Sequence, residues 1–176
     1  NTLTCNSIYL RQIMQQYAAG KSDDLAYRLA RRNAHNADAA LSTTLANMLM
    51  EPGHFRKEAD VGFRFLVLSH TLLSYLSGLG AHRDTQLPAD VREHLIEGAG
   101  NSLAASIDEI ATGLANKQPI AIQSDAEEGL AAELEQMPDE IDEAQRLVQT
   151  QLALICRQLG PLRTLAAHLI KDTGAA

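Results

Sequence analysis

From Asp23 to Glu51 small and apolar residues return at intervals of three and four: Ala26, Ala30, Ala34, Ala37, Leu41, Leu45 and Met48. That spacing holds side chains on one stripe of an α-helix and cannot serve a strand, whose period is two. A stretch of this length commits the chain to helix. The first half of the stripe is alanine, which lets a partner helix approach closely, and the second half is bulky. Beside it runs a polar ladder of Arg28, Arg31, Arg32, His35, Asp38 and Ser42. Asp23 and Asp24 sit where the N-terminal helix dipole favours anions, and Pro52-Gly53 stop the run.

The rest of the chain repeats the pattern. Leu3, Leu10, Ile13, Met14 and Tyr17 predict a helix over 3–18, with a turn at Gly20-Lys21-Ser22 and an N-cap at Ser22 or Asp23. A third helix is expected at about 58–81. Pro88 opens a fourth along Val91, Leu95, Ala99, Leu103, Ile107, Ile110 and Leu114, which Lys117-Gln118-Pro119 closes. Residues 119–136 read as a loop holding a short helix around 127–135. The last helix is expected from Asp139 to about Lys171, and Val148, Leu152, Ile155, Leu159, Leu162, Ala166 and Leu169 form its faultless seam. Gly160-Pro161 interrupts the backbone there, and a kink that keeps the seam is expected. With aromatics at 4% and no Trp, little favours sheet. The fold expected is all-α: one antiparallel up-and-down bundle of about five helices over residues 1–176.

Residues 61–80 are apolar nearly all round, which raises the question of a membrane span. Their Leu, Phe and Val residues would contribute roughly −3 to −6 kcal/mol to insertion and Arg64 would cost about 2.5–3.5 kcal/mol. His70, the serines and the glycines oppose insertion further, so the segment reads as a central, buried bundle helix. Its all-round apolarity, with the last seam, predicts self-association.

The net charge of −7 is local: nine acids and no base fall between Lys117 and Arg146, leaving 13 acids against 15 bases elsewhere. Nucleic-acid binding wants a basic face, and only Arg28, Arg31 and Arg32 cluster. The acidic run reads as a solvated loop and helix start, or as a contact for basic loops at a membrane's cytoplasmic face. Cys5 and Cys156 read as core residues rather than a disulfide pair. The single Glu-x-x-His, Glu51 to His54, is broken by Pro52-Gly53, and His35-x-x-Asp38 has no second copy, so no metal site is expected. Ser69-His70-Thr71 are neighbours that do not face one another on a helix. No glycine-rich phosphate loop is present. No catalysis and no cofactor are expected. The ladder reads as a solvated face or a structural network, or else as an anion or docking site built on arginine.

The run Arg31-Arg32-Asn33-Ala34-His35-Asn36-Ala37-Asp38-Ala39-Ala40-Leu41-Ser42-Thr43-Thr44-Leu45-Ala46-Asn47-Met48, continuing to Glu51-Pro52, resembles the cytoplasmic C-terminal domain of the YccS/YhfK-type inner-membrane proteins of the fusaric-acid-resistance-like (FUSC) group. The resemblance implies a soluble helical module at the cytoplasmic face of a bacterial inner membrane. Its partners would be its own transmembrane domain and further copies of itself, with a role in assembly or regulation of an exporter of aromatic acids or similar compounds. A start without Met agrees with an excised piece of such a protein. The resemblance supplies no catalytic residues; Arg31, Arg32, Asn33, His35, Asn36 and Asp38 are the matching positions. The alternative expectation is a bundle that binds an aromatic or anionic small molecule near Arg28, Arg32 and His35.

Overall fold

The computed structural model describes residues 1–20, 24–51 and 56–174. Six helices make up the described residues: α1 (Thr2–Ala19), α2 (Leu25–Met50), α3 (Arg56–Ala81), α4 (89–116), α5 (Asp125–Glu135) and α6 (Glu143–Gly174). No strand occurs among them. The all-α, up-and-down reading holds, and the short helix expected around 127–135 is the sixth, α5.

Local chemistry sets the ends. The Asp24 carboxylate accepts from the Ala26 N–H at 2.8 Å and starts α2. The alternative caps, Ser22 and Asp23, lie outside the described residues, as do Pro52-Gly53 and His54. Ser124 caps α5 by accepting from the Glu127 N–H at 3.3 Å, so this helix begins at Asp125 rather than at 127. Lys117 takes the left-handed conformation (φ 53°) and the Gln118 N–H reaches back to the Gly113 carbonyl, closing α4 where the sequence placed its stop. The last helix starts at Glu143, later than expected, because residues after Pro138 form a turn; Arg146 donates to the Pro138 and Asp139 carbonyls there.

The direction of each helix follows from its contacts. Asp38 meets His70 and His35 meets Ser77, so α2 and α3 are antiparallel. Ser7 donates to the Ala104 carbonyl while Met14 lies against Gly100, which sets α1 antiparallel to α4. Gln158 donates to the Leu68 carbonyl and Gln151 lies against Gly78, so α3 and α6 oppose. Helices α1, α3, α4 and α6 enclose the core, α2 covers the α1/α3 side, and α5 lies on α6.

That core is continuous. The α6 seam residues Val148, Leu152, Ile155, Leu159, Leu162 and Ala166 are all fully buried, and the helix runs unbroken through Pro161. On α1, Leu3, Leu10, Ile13 and Tyr17 are joined by Asn6, which is also fully buried.

Three expectations need correction. Helix α3 is not buried all round: its second half buries Leu72, Leu73, Leu76 and Leu79, but Val67 is 61% exposed, since α3 has neighbours on only part of its girth. In α2, Tyr27 takes the buried place expected for Ala26, which is exposed. Helix α4 is not regular. Residues Glu93–Gly100 form a π-helical stretch in which Leu95, Ile96, Ala99 and Gly100 all face inward. The wider i to i+5 turn points adjacent residues to one side, and Gly100 allows the close seat of Met14.

Candidate functional site

The polar ladder lies on the outer helix, α2. Arg28, Arg31, Arg32, Asn33, His35 and Asn36 are exposed, and Asp38 is half-buried. Two of its members pair across helices. Asp38 Oδ2 lies 2.8 Å from His70 Nδ1, and His35 Nε2 lies 3.4 Å from Ser77 Oγ. Successive turns of two antiparallel helices put these residues opposite one another, which sequence spacing within α2 cannot reveal. His35 also sits 6.4 Å, centroid to centroid, from Tyr9, which stacks at a tilt on Tyr27; the Arg83 guanidinium lies 4.3 Å over the Tyr27 ring. Burial, then the Tyr27 hydroxyl, pushes the Tyr9 phenol up to about 12, so it stays a neutral donor. The ladder thus stitches α2 to α3 and α1.

A denser polar node, invisible in the sequence reading, ties α4, α5 and α6 together. Arg163 is only 1% exposed although its neighbours Leu162 and Leu165 belong to the core. Its guanidinium grips Glu109 with two bonds (Nη1 to Oε1 at 3.1 Å, Nη2 to Oε2 at 2.9 Å) and Glu127 with Nη2 at 2.6 Å and Nε at 3.1 Å. Ser124-Asp125-Ala126-Glu127 is a capping-box sequence, but the Glu127 carboxylate turns to Arg163. Nearby, exposed Arg157 bridges Glu128, at 2.6 Å, and Glu135. Helix α5 is thus tied to α6 by these charge pairs, by Gln149 donating to the Leu134 carbonyl at 2.9 Å, and by buried Ala131 and Leu134.

The hydrogen bonds from Arg163 hold the Glu109 carboxyl below its ordinary range, and those from Arg157 do the same for Glu135. In both cases the unfolded chain takes up the proton first. Stability from these pairs is therefore present above the ordinary carboxylate range and is lost as pH falls through and below it. The urea midpoint is expected to stay level from about pH 7 to 5 and to fall below about pH 4.5. A midpoint that rises on acidification contradicts these pairs.

Beside the node, at Pro161, lies a cavity of about 440 Å³ lined by Ser124, Glu127, Glu128, Cys156, Arg157 and Thr164, among others. Pro161 has no N–H to offer the Arg157 carbonyl one turn earlier. The Cys156 thiol is 2% exposed and donates to the Glu127 carbonyl at 3.2 Å; burial first, then the Glu127 charge, pushes it up to about 11. A thiol so placed is a protonated donor, not a nucleophile. Native protein is expected to react with a thiol reagent at pH 8 through half-buried Cys5, and through both cysteines only in denaturant. Equal rates for the two native thiols would contradict the packing. Among the described residues no group of three or more His, Cys, Asp or Glu side chains is placed to hold a metal ion.

No helix among the described residues is long and apolar enough to cross a membrane. The chain is similar over 82 residues, at 54% identity, to an uncharacterised protein of Haemophilus influenzae; the match takes in 47% of this chain and 11% of that protein. Over 79 residues it is 48% identical to the inner membrane protein YccS of Escherichia coli, covering 45% of this chain and 11% of YccS. An uncharacterised ORF2 protein of Neisseria gonorrhoeae is 37% identical over 78 residues, 43% of this chain and 19% of that protein. Nearly half of the chain is thus YccS-like, and the matched part spans between a tenth and a fifth of each relative's length. No family model and no solved structure matches it.

Proposed function

We propose that this chain is a helical, non-catalytic module of a YccS-like inner-membrane protein of the FUSC group. In this reading it stands at the cytoplasmic face and serves the assembly or regulation of an exporter of aromatic acids or similar compounds. The observation that carries the reading is the 48% identity to the inner membrane protein YccS over 79 residues. Since no described helix is long and apolar enough to span a bilayer, membrane attachment in this reading comes from segments outside these residues. Self-association belongs to the same reading: α2, which packs mainly on α1 and α3, exposes Leu25, Leu29, Leu49 and Met50.

Fractionation of cells expressing the full-length gene product tests it. The protein is expected in the inner-membrane fraction and to resist extraction by alkaline carbonate. Recovery in the soluble fraction, or release by carbonate, would overturn the reading. Sedimentation of the 176-residue chain at high concentration is expected to show species larger than the monomer.

A further inference from the structure

Between the first half of α3 and the second half of α6 lies an open cavity of about 650 Å³. Its floor is apolar, made by Phe63, Val67 and Leu68 from α3 and by Leu165 from α6, with Arg64 and His168 facing it. Val67 is 61% exposed here, although the same helix buries four leucines further along. Among the described residues no carboxylate lines the cavity, in a chain whose net charge is −7. Neither Arg64 nor His168 is ion-paired among the described residues. Thr164, also in the lining, already donates to the Ile122 and Gly160 carbonyls.

We propose that this cavity binds a small amphiphilic organic anion, its apolar body on Val67, Leu68 and Leu165 and its carboxylate on Arg64 and His168. The volume falls within the range of small-molecule sites, roughly 300–1,000 Å³. The lining covers about two helical turns, on the order of 10 Å, which suits a short aliphatic body better than a docked helix. Arginine presents a permanent charge and a fork that matches a carboxylate, and His168 adds a ring N–H beside it. Apolar floor and basic rim select together: a neutral body lacks the anchor, and a bare anion lacks the floor. The site is separate from the ladder on α2, and binding here does not depend on where the module sits in the cell.

Calorimetric titration of the full chain with octanoate tests the proposal, with octanol and acetate as controls. Octanoate is expected to bind saturably at one site per chain. Octanol is expected to bind about tenfold more weakly or less, because it lacks the charge-assisted hydrogen bonds, and acetate is expected not to bind. Arg64, Val67 and His168 are all exposed, so their variants should unfold at the wild-type temperature. The double variant Arg64→Gln/His168→Gln is expected to weaken octanoate about tenfold or more, and Val67→Glu to abolish it by repulsion. Phosphatidylglycerol vesicles separate a free anion from a lipid headgroup. No octanoate binding, equal affinity for octanol, octanoate affinity unchanged in the folded double variant, or vesicle binding lost with the same residues would each overturn the proposal.

Discussion

Replacing Arg163 with alanine is expected to lower folding stability by about 3–5 kcal/mol, read as a shift in the urea midpoint. Arg163 is 1% exposed and Glu127 8% exposed, so the variant leaves a buried carboxylate facing no cation. Glu109 contributes less, since its side chain is 55% exposed and water can take over. The loss should come mainly from the abandoned charge, not from the missing pair. The double variant Arg163→Met/Glu127→Leu removes both buried charges and should recover most of the loss. A loss below about 1 kcal/mol for Arg163→Ala would place this pair among ordinary surface bridges and contradict its burial.

Leu159→Ala is expected to cost about 2–5 kcal/mol. Leu159 is fully buried in the α6 seam, one turn before Arg163, and the helices around it are held on several sides. Relaxation into the void is therefore limited, and the cost belongs in the upper half of that range. Val67→Ala on the neighbouring helix serves as the contrast: at 61% exposure it should change stability by no more than about 0.5 kcal/mol. Similar effects for the two would mean that the seam is not the centre of the core.

Comparison of these two residues also shows what a sequence of this kind reveals. Leu159 was legible because a buried helix face repeats at three and four, and that period survives even Pro161. The alternation of helix direction followed from short connections. Two features stayed hidden, each for a physical reason. The π stretch Glu93–Gly100 arises from packing, since a local shift of hydrogen-bond partner leaves little trace in apolar spacing. The burial of Arg163 depends on carboxylates from two other helices, and its one trace in the sequence is an arginine flanked by Leu162 and Leu165. In the ladder, Asp38 and His35 meet partners that spacing within α2 cannot name. His70 and Ser77 lie on another helix, more than thirty residues away in sequence.

The central claim, that this bundle is the cytoplasmic module of an inner-membrane protein, is tested most directly by reporter fusions to the full-length gene product immediately after Gly174. With green fluorescent protein the account predicts fluorescence at the cell rim, carried in the inner-membrane fraction, and with alkaline phosphatase it predicts an inactive fusion. Active phosphatase, or fluorescence spread through the soluble fraction, would contradict it.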